Sequence, residues 1–255
     1  MELPLLRERQ ARTRQYLRGA DVQFSEVFEG IMRHSFEYAD PLCASLLLWA
    51  CDACGGDSHA ALPIAASVEC LHRFSVLHDE LQMKSTLLLE RETTSSIWGL
   101  AQTLNAGDAF FALALGLLAK DVVQGERVLD VGIVLANAML CGIEQRNRLI
   151  RAARSRSAGR MRIAYGGTQA LMLSLSLRAG AMMAAADTRT IEDLARAGRL
   201  LGAAMELQAQ ARGAQSALAK RYAEKAAAIV EASPLEPGYA GEFKEITYGL
   251  AAARS

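Results

Sequence analysis

The stretch ALPIAASVECLHRFSVLHDELQM, residues 61–83, decides the fold class of this chain. Its apolar residues recur at three- and four-residue spacing, which predicts a long helix. This helix is apolar almost all round, so it is expected to lie at the centre of a bundle. Glu69, His72, Asp79 and Met83 fall on one face. They form either a polar wall inside the bundle or an acidic, solvated last turn of the helix.

Nearly every other segment has the same helical spacing, and alternating runs of β-branched residues are absent. The predicted helices cover Leu3–Leu17, Val22–Phe36, Pro41–Cys54, Ala60–Lys84, Ser95–Lys120, Arg127–Ala153, Ala158–Ala185, Ile191–Ala211, Ala214–Glu231 and Ala240–Ala252. Thr190, with Asp193 three residues on, resembles a capping box. We predict an all-α fold in which residues 1–255 form a single-domain helical bundle around a central apolar cavity.

Composition excludes several classes of protein. The 255 residues include 28 basic and 28 acidic side chains, and this zero net charge argues against nucleic-acid binding. The longest uncharged apolar run, Ala109–Ala119, is far shorter than the roughly 20 residues of a membrane span. The Arg-rich N-terminus lacks the apolar region of a signal peptide. We therefore expect a cytoplasmic protein without a membrane span.

The five cysteines are scattered through apolar segments rather than spaced as a disulfide framework. Cys51 and Cys54 form a CxxC, which together with Cys70 and His72 resembles a zinc site. No second CxxC follows, and Cys51 lies within a helical pattern, so core packing is the favoured interpretation.

Further polar groups interrupt the apolar helices. Asp108 lies within a long apolar stretch and needs a partner if it is buried. Glu206 and Gln210 are one turn apart on an Ala-rich helix and form either a second polar wall or an exposed stripe. Residues 146–162 carry seven arginines, which could bind an anion, although such runs are more typical of a solvated helix end.

The order of these segments resembles the trans-isoprenyl diphosphate synthase (polyprenyl synthetase) family, which shares its all-helical fold with class I terpene synthases. The resemblance covers about residues 20–231. The matching stretches are LLLWACDACGG (46–56), ALPIAASVECLH (61–72), HDE (78–80), IWGLAQTLNAGDAFFALA (97–114) and GRLLG (198–202). It implies an isoprenoid-synthase-type bundle and an isoprenoid ligand.

The resemblance also implies magnesium held by two aspartate-rich, DDxxD-like motifs. In the first motif Asp79 is kept, the second carboxylate is Glu80, and Met83 replaces the third. The second motif has no aspartate, and the nearest carboxylate is Glu206, one turn earlier. Asp79 and Glu80 are thus the candidate metal ligands, while both incomplete motifs argue against a magnesium cofactor.

The cationic half of the family's site is missing as well. The family's Gly-Lys-x-x-Arg is replaced by residues 39–43, and its arginine pair by Leu88 and Leu89. The lysine of its Lys-Thr pair is Gly167, although Thr168 is kept. Each lost contact with a diphosphate is worth roughly 1.5–3 kcal/mol. Head-to-tail chain elongation is therefore not expected.

Three hypotheses for function remain open. The first is a derived isoprenoid-processing enzyme, a noncanonical terpene cyclase or synthase, with Asp79, Glu80 and Glu206 as catalytic groups. The residues expected to contact its substrate are His72, Phe74, Met83, Phe110, Thr168, Met205 and Gln210. The second is a catalytically silent member that binds an isoprenoid or pairs with an active synthase. The resemblance implies a homodimer, or a heterodimer with a canonical synthase, through the helix around Ser95–Lys120. The third is a helical scaffold without a ligand.

Overall fold

A computed structural model describes residues 4–19, 25–37, 41–83, 87–88, 91–120, 125–152, 167–209 and 214–252. Within these ranges the chain forms ten α-helices and one short β-ladder, which confirms the predicted all-α fold. The helices are α1 (Pro4–Arg18), α2 (Glu26–Glu37), α3 (Leu42–Ala53), α4 (Leu62–Met83), α5 (Thr94–Lys120), α6 (Gly125–Ala152), α7 (Thr168–Met183), α8 (Thr188–Ala209), α9 (Ala214–Glu231) and α10 (Tyr239–Ala252). Strands β1 (Leu87–Leu88) and β2 (Arg91–Glu92) pair antiparallel between α4 and α5.

The centre of the bundle consists of α3, α4 and α7. Eleven of the twelve residues of α3 are buried, because α1, α4 and α7 surround this helix. Glycine allows the closest approach, since a Cβ at Gly180 of α7 would overlap the Leu47 carbonyl of α3. One continuous hydrophobic cluster contains residues from all ten helices. Helix α4 is therefore central, as its sequence pattern predicts, whereas the equally apolar segment Ser95–Lys120 is not.

Helices α5 and α6 differ from the central helices because each leaves an apolar face exposed. Ten of the twelve exposed large apolar side chains within the described ranges lie on these two helices. They are Ile97, Leu100, Leu104, Phe111, Leu115, Leu129, Ile133, Leu140, Ile143 and Ile150. By length and composition both helices could also cross a membrane, a criterion that core helices of water-soluble proteins meet too. The absence of a membrane span stays a prediction.

Several helix boundaries differ from the predicted ones. Helix α7 begins at Thr168, and the predicted part from Ala158 to residue 166 lies outside the described residues. Helix α8 begins before Thr190, because Asp187 accepts hydrogen bonds from the Thr190 backbone N–H and hydroxyl at 3.0 and 2.7 Å. The predicted capping box at Thr190 is therefore wrong by one turn. Helix α5 is kinked at Gly99, whose φ of 80° is in the left-handed region that favours glycine.

Candidate functional site

Two neighbouring carboxylates at the end of α4 contact different helices. Asp79 Oδ1 accepts a hydrogen bond from Arg146 Nε of α6 at 2.6 Å, and Asp79 Oδ2 accepts one from Thr168 Oγ1 of α7 at 2.6 Å. Glu80 Oε2 accepts one from the Thr94 backbone N–H, the first residue of α5, at 3.0 Å. Both Asp79 oxygens are therefore bonded, and Glu80 caps α5.

Arg146 supplies a positive charge next to Asp79 at this end of the bundle. Its side chain is about nine-tenths buried and also donates from Nη2 to the Ser75 carbonyl at 3.5 Å. Asp79 is less buried, with 30% of its side chain exposed. The pair balances one buried positive charge with one carboxylate, and removing either partner leaves the other uncompensated.

Glu206 of α8 lies against the first turn of α7. Its Oε2 accepts a hydrogen bond from the Gly167 N–H at 2.6 Å, and its Oε1 accepts one from the Gln169 N–H at 2.8 Å. Gly167 is the N-cap residue and has no side chain with which to cap the helix. A Cβ at this position would overlap the Glu206 carboxylate. Glu206 is thus the N-terminal cap of α7, supplied from another helix.

Burial sets the electrostatics of Glu80. This side chain is 9% exposed, and burial raises its pKa, although the hydrogen bonds from Thr94 partly oppose the shift. Two residues earlier, the His78 ring packs against Phe74 with 4.4 Å between ring centroids, and burial lowers the pKa of this imidazole. The end of α4 therefore carries one carboxyl group that is easier to protonate and one imidazole that is harder to protonate.

A second buried polar cluster lies between α3 and α4. Glu69, fully buried, accepts hydrogen bonds from Arg73 Nη2 at 2.6 Å and from the Ala44 N–H at 3.1 Å. His72 Nδ1 lies 3.4 Å from the same carboxylate. Burial alone would raise the pKa of Glu69, but Arg73, His72 and the Ala44 N–H hold it at about 2. His72, predicted to contact substrate, is thus part of an internal ion-pair network.

The arrangement fits neither magnesium nor zinc well. A magnesium ion would have to compete with protein donors, because Asp79 and Glu206 already accept hydrogen bonds at both oxygens and Glu80 accepts one. Within the described ranges, one group offers three potential ligand atoms within 4.8 Å of one another: Cys43, Glu69 and His72. Arg73 already neutralises Glu69 there, and burial raises the pKa of the Cys43 thiol well above its usual range.

The two thiols of the CxxC pair, Cys51 and Cys54, are buried and half-buried, respectively. Burial raises the pKa of Cys51 to about 12 and that of Cys54 to about 11, with smaller effects from nearby carboxylates. Both thiols, and that of Cys70, are free within the described ranges. These cysteines pack in or beside the core, as the sequence interpretation favours.

The remaining predicted contact residues occupy several environments. Phe110 is fully buried and packs against Phe28 of α2, at 5.4 Å between ring centroids. Phe74 is half-buried and also contacts Phe111 at 5.5 Å. Met205 is half-buried against the core, next to Glu206. The Met83 side chain and Gln210 lie outside the described residues.

Sequence reasoning did not assign Arg146, Gln169 and Arg73 to the site. Arg146 is the first of the seven arginines in residues 146–162, and the sequence around it gives no signal that it pairs with Asp79. The Gln169 contribution is a backbone N–H, which every residue except proline carries. Arg73 does stand one turn after Glu69, a spacing that indicates an ion pair on a helix.

Comparisons with known proteins agree with this architecture. The farnesyl diphosphate synthase of Mycobacterium tuberculosis strain H37Rv is 34% identical over 174 residues, covering 64% of this chain and 45% of that protein. The geranylgeranyl diphosphate synthase of the same strain is 32% identical over 165 residues, covering 64% and 47%. The chain therefore spans about half the length of these curated relatives.

Solved structures show the same fold at lower identity. The geranylgeranyl pyrophosphate synthetase of Geoglobus acetivorans superposes with a TM-score of 0.84 at 15% identity, covering 97% of this chain and 99% of that one. A mint heterotetrameric geranyl pyrophosphate synthase gives 0.73 at 20% identity, covering 96% and 99%. A sequence model for the family described as polyprenyl synthetase matches residues 30–211. Because this match spans more than half of the chain, the protein belongs to the polyprenyl synthetase family.

Proposed function

We propose that this protein is an accessory member of the polyprenyl synthetase family, which pairs with an active synthase and does not itself elongate prenyl chains. One observation carries the proposal. Asp79, Glu80 and Glu206, the carboxylates nearest to the two aspartate-rich motifs, are each bonded to donors of the chain itself. They stabilise the junctions of α4 with α5, α6 and α7 and of α7 with α8.

Converting these carboxylates into magnesium ligands has a high energetic cost. Withdrawing Asp79 from Arg146 leaves a guanidinium that is about nine-tenths buried, and breaking such pairs costs roughly 3–5 kcal/mol. Withdrawing Glu206 exposes the two N–H groups that it caps, for about 1 kcal/mol more. The carboxylates thus favour their present partners over an incoming ion.

The surface of the protein supports a role in pairing. Helices α5 and α6 expose most of the large apolar side chains found within the described ranges, and patches of this kind mark protein interfaces. The mint relative is a heterotetramer, so this fold occurs in assemblies with more than one kind of chain. A synthase of the same family is the partner that we propose for the α5–α6 face.

The test separates catalysis from pairing. Purified protein with magnesium, isopentenyl diphosphate and either geranyl or farnesyl diphosphate is expected to give no elongated product. Mixed with a canonical synthase from its own organism, it is expected to co-purify and to change the product length. Elongation by the isolated chain, abolished by Asp79→Ala, would contradict the proposal.

A second candidate is the derived isoprenoid-processing enzyme, a noncanonical terpene cyclase. It is favoured by the burial of Glu80, which raises the pKa of this carboxyl group, since a protonated carboxyl can donate a proton to an alkene. It predicts a new hydrocarbon or alcohol from farnesyl or geranylgeranyl diphosphate without a partner. The product must disappear in Glu80→Gln while the fold persists. If Glu80→Gln folds and still gives the product, Glu80 has no part in the mechanism.

A further inference from the structure

One charged side chain interrupts the exposed apolar stripe of α5. Leu104, Asp108, Phe111 and Leu115 are spaced four, three and four residues apart, so they lie on one face of this helix. The three apolar side chains are exposed, and 67% of the Asp108 side chain is exposed as well. The carboxylate therefore lies in the middle of the surface that we propose for pairing with a synthase.

The chain itself provides little compensation for this charge. Within the described ranges, His78 is the one basic side chain within 4.0 Å of Asp108. Its Nε2 lies 3.7 Å from Asp108 Oδ1, which is too long for a hydrogen bond, and this nitrogen has no hydrogen-bond partner among the described residues. Water thus solvates Asp108 in the isolated chain. A partner that covers the stripe removes this water, and a buried carboxylate then needs a cation.

A second copy of the same chain cannot supply the cation from the middle of its α5–α6 face. Residues 97–119 of α5 and 128–143 of α6 contain two acidic residues, Asp108 and Asp130, and no Lys, Arg or His. A symmetric self-pair brings the same patch of each copy together. Whichever of the two helices lies opposite, Asp108 meets apolar groups or another carboxylate.

The basic residues of this face lie near the helix ends. Lys120 is the last residue of α5, about 18 Å along the helix from Asp108. In an antiparallel pair of α5 helices, moving Lys120 opposite Asp108 places Leu104 beyond the end of the other helix. On α6, Arg127 and Arg148 already donate hydrogen bonds within the chain. A self-pair therefore compensates Asp108 only by giving up part of its apolar contact.

We propose that Asp108 selects a heterologous partner, a synthase chain that carries a Lys or Arg opposite this carboxylate, in preference to a second copy of the same chain. The charge disfavours the self-pair and favours the mixed pair, so one residue shifts the two equilibria in opposite directions. This inference rests on the proposed pairing with a synthase and adds the chemistry that the partner presents at the centre of the interface.

Self-association of the full chain tests the first half of the proposal. Asp108→Asn removes the charge and keeps the shape of an exposed side chain, so the fold should persist. Sedimentation equilibrium is expected to give a dissociation constant for self-association at least about tenfold lower for Asp108→Asn than for the wild type. Glu245→Gln, at an exposed carboxylate on α10, is the matched control and should behave as the wild type. Equal constants for the wild type and Asp108→Asn, or no self-association of either, overturn the inference.

Pairing with the canonical synthase of the same organism tests the second half. In a binding titration against the immobilised synthase, Asp108→Asn should bind at least about tenfold more weakly than the wild type, the opposite direction from its self-association. A residue with only a structural role would shift both equilibria in the same direction. Pairing that Asp108→Asn leaves unchanged overturns this inference alone, whereas no pairing by the wild type overturns the proposed function as well.

Discussion

At the scale of single residues, most of the buried charged side chains in the described part of the chain belong to ion pairs with short contacts. Glu80, which accepts a hydrogen bond from a backbone N–H, is the exception among them. Glu69 and Arg73 are bonded at 2.6 Å and both lie inside the bundle, where charge is tolerated only when it is compensated. Asp79 and Arg146 repeat the arrangement nearer the surface. Exposed pairs such as Arg148 and Glu144 have the same chemistry in water, where they contribute little. Burial therefore decides which ion pairs matter for stability.

The replacement of Arg73 by leucine tests this difference. Arg73→Leu leaves the Glu69 carboxylate buried without its cation, so we expect the free energy of unfolding to fall by roughly 3–5 kcal/mol. Arg148→Leu is the control and should change it by less than about 1 kcal/mol. Urea unfolding followed by circular dichroism measures both. Similar losses in the two variants would show that burial of the pair is not the deciding factor.

The Glu69–Arg73 pair also predicts that the stability of the protein depends on pH. The pKa of Glu69 is about 2 in the folded protein, below its ordinary value of 4.5. Its contribution to stability is therefore complete above about pH 4.5 and is lost as the pH falls towards 2. The stability difference between wild type and Glu69→Gln should shrink over this range in pH-dependent urea unfolding. A constant difference from pH 5 to pH 2 would contradict the assignment.

The pKa of Glu80 is shifted in the opposite direction from that of Glu69. Burial raises its pKa, so keeping it ionised in the folded protein lowers stability as the pH rises above its ordinary value of 4.5. Glu80→Gln removes this charge but keeps an oxygen for the Thr94 N–H, and we expect unchanged or higher stability at pH 7. Glu80→Ala removes the cap of α5 and should lose about 1 kcal/mol. Chemical denaturation measures the free energy of unfolding of both variants. A Glu80→Gln variant that is less stable than Glu80→Ala would disprove this expectation.

At the scale of helices, close approach between backbones determines how α7 and α8 pack against each other. A Cβ at Gly198 of α8 would overlap the Leu173 carbonyl of α7, and one at Gly202 would overlap the backbone of Gln169 and Ala170. The α7–α8 contact therefore depends on two glycines one turn apart. This contact also sets the position of Glu206, which follows Gly202 by one turn and reaches the start of α7.

Two glycine-to-alanine substitutions separate the effect of close packing from that of helix propensity. Gly198→Ala should lower the free energy of unfolding by about 1–3 kcal/mol, because the backbone of α7 cannot move aside as a flexible side chain would. Gly132→Ala in α6 meets no atom within 4 Å and should raise it by about 0.5–1 kcal/mol. Thermal and urea unfolding of the two variants provide the measurement. A stabilising Gly198→Ala would be incompatible with the close α7–α8 contact.

At the scale of the whole molecule, the protein has a zero net charge and a strongly uneven distribution of exposed apolar surface. On α6, Leu129, Ile133, Ala136, Leu140 and Ile143 are spaced four, three, four and three residues apart. This is the spacing of a helix that packs against another helix. All five residues are exposed, while the opposite side of α6 packs on α7. The α5–α6 face therefore has the pattern of an interface.

Charge on this face should block association. Leu129 and Leu140 are 69% and 64% exposed, so Leu129→Lys together with Leu140→Lys should leave monomer stability nearly unchanged. The same double change should weaken self-association or pairing with a synthase at least about tenfold. Tyr248→Lys on α10 is the control. Light scattering coupled to size-exclusion chromatography measures the mass, and an unaffected assembly would place the interface elsewhere.

The sequence by itself determined the helices, their order and the family resemblance, because helical periodicity is local and the motifs are contiguous. It also named Asp79, Glu80 and Glu206 as the carboxylates of interest. Only the tertiary structure decided what these carboxylates bind. Their partners lie 67 and 89 residues away for Asp79 and 39 residues away for Glu206. Three of the partners are backbone N–H groups, which no side-chain pattern distinguishes, so only the packing shows that these carboxylates cap helices and form an ion pair.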